Sequence, residues 1–280
     1  MAWNGGRRHA RQAGSNAYNS VMYIDSHCHI NFPDLAARLP AILDKMAENQ
    51  VSHALCVACD LPDFPQVRAL AETYPNIYAS VGVHPDYDDT PEPSVAELVR
   101  LSQHPKIVAI GETGLDYFRL QGELEWQRER FRTHIRASRE SGKPLIIHTR
   151  AASEDTIRLM REEGAGTDAG GAGGVMHCFT ESLQVAEAAM EMGFYISFSG
   201  IVTFKNARDL QAVARAVPFE RMLIETDSPY LAPVPHRGKT NEPGLVRHVA
   251  EFLAQLKGVS VEHVAQHTTN NFFNLFKILR

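Results

Sequence analysis

The sequence predicts an α/β fold of the closed (β/α)8 TIM-barrel type, on three observations. Eight short β-branched or apolar runs alternate with longer helical patterns, the signature of βα units around a parallel sheet. The stretch that carries them, 21–280, has 260 residues, close to the ~250 of an eightfold barrel. Six metal-competent side chains fall at the C-terminal ends of five of the runs, and a closed sheet brings all such ends to one rim. A doubly wound open sheet is the competing architecture, because periodicity registers strands and helices but not closure.

The strand signals lie at 21–26, 54–58, 77–83, 107–111, 145–148, 175–177, 194–198 and 222–226. Between them, 123–141 reads as a helix closed by Gly142, and 182–192 as a helix with Leu183, Ala186 and Met190 on one face and Gly193 ending it. Asp63, Ser94, Ser153 and Ser182 stand where N-caps belong. After the last strand, 243–257 and 260–276 read as closing helices, so that 21–280 is expected to form one hydrolase domain. Residues 1–20 carry Arg7, Arg8 and Arg11 among Gly, Asn, Ser and Ala. No apolar h-region follows the arginine pair, so a disordered extension is expected rather than an export signal. The run GAGTDAGGAGG at 164–174 lacks the Lys-Ser/Thr ending of a phosphate loop and leads into a strand, so it reads as a flexible surface insertion.

Composition narrows the function. With 44% apolar and 22% charged residues, the chain can bury a large core, and disorder, collagen and coiled coil are excluded as whole-chain readings. Lys+Arg 28 against Asp+Glu 33 leaves a net charge of −5, without the broad basic footprint of a protein that coats DNA. Four cysteines are too few for a disulfide scaffold, so a reducing, cytoplasmic setting is expected. No apolar run approaches the ~20 residues of a membrane span, and no obligate protein partner is evident.

The chemistry lies where histidines and carboxylates meet the strand ends. His27 and His29 follow the first strand in DSHCH. Side chains two apart on extended backbone share a face, so both rings can address one metal while Cys28 turns away. Glu112 follows the fourth strand in IGETGLDY, His148 ends the fifth in LIIHTR, His177 ends the sixth in VMHCF, and Asp227 follows the eighth in LIETDSPY. A set of imidazoles and carboxylates without thiolate suits Zn or Mn better than Mg alone. Six ligands exceed the three protein ligands of one catalytic zinc and suit two divalent ions with a bridging carboxylate. Glu112 is the bridge by strand order.

These motifs, together with VGVHP, RGKTNEP at 237–243 and TTNNFFNLF at 268–276, resemble the TatD family of metal-dependent hydrolases, a branch of the amidohydrolase-like barrels. The resemblance covers essentially 22–276, and the family's metal positions match His27, His29, Glu112, His148, His177 and Asp227. In related phosphotriesterase-like barrels a carboxylated lysine bridges the metals, whereas the matching position here is Glu112. The resemblance implies a deoxyribonuclease or related phosphodiesterase in which a water activated between two ions attacks phosphorus. Asp227 is then either the base that takes the water's proton or a ligand only.

Further candidates are less tightly tied to the site. Arg150, two residues past His148, could clamp a phosphate or form a surface salt bridge. His84 in GVHP either contacts substrate or packs the rim, and Arg237 and Lys239 either supply a local basic patch or belong to a solvated loop. Asp116 and Tyr117 read as caps of the turn after Glu112, and Cys56 and Cys59 as buried structural cysteines. The expected substrate is DNA, with ends and single strands preferred, and no membrane is involved. A small-molecule amide or ester hydrolase is the alternative, since the same barrel serves carbonyl chemistry. A metal-binding protein without catalysis is a third class, which the complete ligand set argues against.

Overall fold

The computed structural model describes Met1 and residues 22–279. Apart from Met1, the expected N-terminal extension lies outside these residues, as does Val21, where the first strand was expected to start.

All eight expected strands are present. In chain order the elements are β1 (Tyr23–Cys28), α1 (Pro33–Ala36), α2 (Leu39–Glu48), β2 (Val51–Cys56), α3 (Phe64–Thr73), β3 (Ile77–Val81), α4 (Val95–Ser102) and β4 (Ile107–Asp116). There follow α5 (Glu125–Ser141), β5 (Leu145–Arg150), α6 (Ser153–Glu162), β6 (Gly174–Met176), α7 (Leu183–Glu191) and β7 (Tyr195–Phe198). The chain ends with α8 (Arg208–Ala216), β8 (Met222–Ile224), α9 (Val246–Lys257) and α10 (Val261–Phe276). The strands form one parallel sheet in the order β1 to β8. Beyond the last strand a parallel bridge joins Cys28 to Ser228. Asp227 N donates to His27 O and His29 N to Ser228 O, each at 2.9 Å. The fold is therefore the (β/α)8 barrel, and the open-sheet alternative is set aside.

The helices form because each offers one apolar stripe to the sheet. In α2 the buried positions are Leu39, Ile42 and Met46, and in α9 they are Val246, Val249, Ala250, Leu253 and Ala254, the 3.6-residue spacing of an amphipathic helix. Ser94 and Ser182 cap as expected, accepting from Glu97 N and Val185 N. Two expected caps differ. Asp63 stands at the N-cap of α3 without a side-chain bond, and Ser153 lies inside α6, whose N-cap is Ala152. The 164–174 run is also more ordered than a flexible insertion. Gly171 N bonds Gly166 O, Gly173 N bonds Ala165 O and Thr167 N bonds Met192 O, and Ala165 is buried.

Two ends of the barrel have different coverings. At the N-terminal ends of the strands, α10 sets Phe272, Leu275 and Phe276 in a cluster with Ile24, Leu55, Val108, Ile146, Val175 and Leu223. Thr269 Oγ1 donates to Met22 O, and Asn271 Nδ2 to Phe219 O and Met222 O. The TTNNFFNLF stretch is thus the plug of the barrel floor. The opposite end opens on a cavity of about 490 Å³. No helix among the described residues is long and apolar enough to cross a membrane.

Candidate active site and metal centre

Local irregularities in two strands position the central groups. On β4, Ile110 pairs with Leu145 and Thr113 with Ile147, which leaves Gly111 and Glu112 opposite Ile146 alone. This β-bulge re-aims a side chain that simple alternation would not, and Glu112 lies inside it. Gly114 (φ 137°) permits the close approach of β5, for a Cβ there would stand 1.9 Å from His148 O. A second bulge on β1 lies between Asp25 and Cys28, opposite Ala54 and Cys56, and contains His27. Asp227 adopts φ 55°, a left-handed conformation that Asp tolerates better than most residues.

The four expected histidines converge on the Glu112 carboxylate. Glu112 Oε2 lies 3.3 Å from His27 Nε2 and 4.0 Å from His29 Nε2. Glu112 Oε1 lies 2.7 Å from His177 Nε2 and 3.3 Å from His148 Nδ1. The two oxygens therefore face two separate histidine groups. His27 and His29 bring their Nε2 atoms to 3.3 Å, as a shared face requires, while Cys28 turns its thiol to Leu55 O. Asp227 Oδ1 joins this pair, 3.4 Å from His29 Nε2 and 3.8 Å from His27 Nε2.

His84 is a seventh member. Its Nε2 lies 3.2 Å from Glu112 Oε1, and its Nδ1 bonds Asp86, so it reaches the centre rather than only packing the rim. Its position at the end of a strand, like that of the other histidines, was the available signal.

An outer set of acids orients these rings. Fully buried Glu225 bonds His177 Nδ1 at 3.2 Å and Cys178 N at 2.7 Å. Asp116 does cap its turn, accepting from Phe118 N and Arg119 N, but its other oxygen meets His148 Nε2 at 3.0 Å. His29 Nδ1 is held by Val57 O at 3.0 Å. Asp25 accepts from Thr226 N and Oγ1, locking β1 to the segment after β8, and burial pushes its carboxyl up to about 8. Asn241, not Arg237 or Lys239, is the buried polar residue of the RGKTNEP stretch. Its Nδ2 donates to Thr226 O and Tyr230 O, bracing the turn that carries Asp227. The sequence alone assigns no role to Asp25, Glu225 or Asn241, although they lie within DSHCH, LIETDSPY and RGKTNEP.

The electrostatics suit a divalent cation. Burial alone would raise the Glu112 carboxyl, but His177, His84 and His27 overturn it and hold it well below the usual range. Burial likewise disfavours charge on His177, yet Glu112 and Glu225 raise it well above an ordinary imidazole. Buried carboxylates thus demand compensating positive charge at this point. A bound cation supplies that charge while leaving the imidazoles neutral, as ligation requires. His177 Nε2 is buried without an aligned hydrogen-bond partner, and His27, His29 and Glu112 set their donor atoms close enough to share an ion, as do His84, Glu112 and His148. Burial and Asp227 push the Cys178 thiol well above its ordinary value, so it keeps its proton and the donor set remains imidazole and carboxylate.

The remaining candidates separate by position. Arg150 lines the cavity, with its guanidinium 3.9 Å from the Phe118 ring centre, and Arg119 lines it too. Arg237 rests on the Phe204 ring at 3.6 Å, and neither it nor Lys239 is among the lining residues. Cys56 and Cys59 are buried as expected, with Cys59 Sγ 3.5 Å from His29 Nδ1.

Comparison with known proteins agrees with this geometry. The family described as TatD related DNase matches residues 24–277. The chain belongs to the TatD family. Among TatD-type relatives, the uncharacterized metal-dependent hydrolase YcfH of Escherichia coli strain K12 is 49% identical over 261 residues, covering 92% of this chain and 97% of that protein. YabD of Bacillus subtilis strain 168, an uncharacterized metal-dependent hydrolase, is 42% identical, covering 92% and 100%. The crystal structure of the TatD homolog YjjV from Escherichia coli K12 superposes with a TM-score of 0.85 at 28% identity, covering 92% and 98%. This TatD-family chain is a metal-dependent hydrolase, with clusters of histidine and glutamate able to bind metal.

Proposed function

We propose that this hydrolase cleaves phosphodiester bonds of DNA and removes nucleotides from strand ends, single strands preferred, using two divalent ions of the Zn, Mn or Mg type. The observation that carries the reading is the division of Glu112 between His27 and His29 on Oε2 and His148 and His177 on Oε1. His27, His29 and Asp227 would hold one ion, His148 and His177 the other, and Glu112 would bridge them. When bound, the ions supply Lewis-acid polarisation of a phosphoryl oxygen and a more acidic water.

The chain's own groups supply the rest. The Asp227 carboxyl is raised by burial but held ionised by its hydrogen bond to His29 and by His27 and His177. It lines the cavity and can accept the proton of an attacking water. Arg150 and Arg119 stand at the same cavity and can pair with phosphate oxygens. Support for DNA comes from the family's description and from these cations. Support for end-dependence comes from the depth of the site, which lies beneath the loops after β3, β4 and β8 and admits a strand end more readily than the middle of a duplex.

The test offers end-labelled linear strands, a closed circular single strand and a panel of small esters and amides to the metal-loaded protein. Removal of nucleotides from the linear strand alone is expected. Equal cutting of the circle would overturn end-dependence. Fast turnover of a small ester or amide beside inert DNA would move the chain to the amidohydrolase class.

A further inference from the structure

Two large aromatic side chains stand in water at the mouth of the barrel. Phe118 is 61% exposed and Tyr230 57% exposed, and they are the exposed large aromatics among the described residues. Single exposed apolar residues are ordinary on a protein surface. Here, however, both occur just beyond strands that deliver site carboxylates. Phe118 follows Asp116 by two residues and Tyr230 follows Asp227 by three. Because β4 and β8 are four strands apart in an eight-stranded barrel, the loops that carry the two rings start from opposite sides of the mouth.

The surroundings of Phe118 are cationic. The Arg150 guanidinium lies on the Phe118 ring, 3.9 Å from its centre. Arg119, the next residue after Phe118, is 58% exposed in its side chain and pairs with Asp86. Tyr230 lies edge-on to Phe32 with ring centres 6.5 Å apart, and Phe32 stacks on His29 at 4.8 Å. An aromatic path thus leads from the rim to the histidine centre. Aromatic faces combined with arginines are the means by which proteins hold single-stranded nucleic acid without reading its sequence, since every base has a π-face.

We propose that Phe118 and Tyr230 form a stacking platform for unpaired nucleobases that holds a single-stranded end over the cavity. The proposal rests on the nuclease reading above and adds to it the groups that select single strands. In a duplex the interior bases are stacked on one another on both faces and only the terminal pair exposes one, so a single strand offers the two rings more free faces. Arg150 serves both parts of the ligand, stacking at Phe118 and meeting the backbone phosphate. Phe118 and Tyr230 act on binding and take no part in bond cleavage.

The test measures binding, by fluorescence anisotropy, of a labelled oligothymidylate and of an abasic strand of the same length. The wild-type protein is expected to bind the base-bearing strand at least about fivefold more tightly, the low end for one stacked base. The paired variant F118A/Y230A is expected to bind both strands alike, while F118W and Y230F retain the preference. Absence of the preference in the wild type, or its persistence in F118A/Y230A, would overturn the platform. Base-dependent binding without cleavage of the same strand would leave the platform standing and overturn the nuclease reading instead.

Discussion

His177 and Glu112 meet at 2.7 Å, imidazole nitrogen to carboxylate oxygen, across the mouth of the barrel. The contact joins β6 to β4 through two side chains whose partners on their other atoms differ. His177 Nδ1 is held by Glu225, while the second oxygen of Glu112 faces His27. Removing Glu112 takes a donor from both halves of the centre at once. Glu112→Ala is expected to lower the divalent ions retained at saturation by at least one per chain and hydrolysis by more than ~100-fold. Elemental analysis after gel filtration checks it. Full metal content in that variant would remove Glu112 as the bridge.

Glu225 is expected to act through His177. It is fully buried and fixes the ring by Nδ1. Outer carboxylates of this kind typically contribute ~10–100-fold in metal affinity. Glu225→Gln should therefore weaken metal binding within that range, read by competition with a chelating dye. An unchanged affinity would mean that Glu225 only ties down Cys178 N.

Asp227→Asn preserves size, one oxygen and tolerance of the φ of 55°, but loses proton affinity. If Asp227 is the base, turnover falls by ~10²–10⁴ while metal content falls much less. Parallel losses of metal and turnover would make it a ligand only, and near-normal turnover would exclude it as the base.

Arg150 and Arg237 separate by salt dependence. Each single-strand phosphate contact adds ~0.7 to the slope of log K against log[salt]. Arg150→Ala, at the cavity, should reduce the slope for a single strand by about that amount. Arg237→Ala, with its guanidinium on Phe204, should change it less. A larger change at Arg237 would place the phosphate path over the loop after β8.

Stability should fall on acidification through His134 of α5. Its Nε2 accepts from Val83 N and its Nδ1 donates to Arg130 O, so the folded ring is neutral. Burial lowers its pKa to about 4. Between the unfolded value near 6.5 and that folded value, the unfolded chain binds a proton that the native one refuses. The contribution is complete above pH ~6.5 and shrinks as the pH falls, by roughly 3 kcal/mol at pH 4. Urea unfolding at pH 7.5 and 4.5 should show a smaller loss in His134→Gln than in the wild type. An equal loss would assign the acid sensitivity elsewhere.

Much of this protein was legible in local pattern. Alternation of short apolar runs with helical stripes determined eight strands in order, because burial of one face imposes a period on each element. The histidines and acids at strand ends were legible for the same reason: the four expected histidines face Glu112, and Asp227 joins His27 and His29. Local pattern did not reveal the bulges that hold His27 and Glu112, since an extra residue in a strand is defined only against its neighbour. It gave Arg150 a direction only through its two-residue spacing from His148, and gave none to Arg237 and Lys239, because loop charge carries no direction. Nor did it assign Glu225 and Asp25, whose partners His177 and Thr226 lie 48 and 201 residues away. Residue type and period were set along the chain, whereas the pairing of buried polar groups was decided by closure of the barrel, which alone brings β8 beside β1 and sets each buried acid among partners distant in sequence.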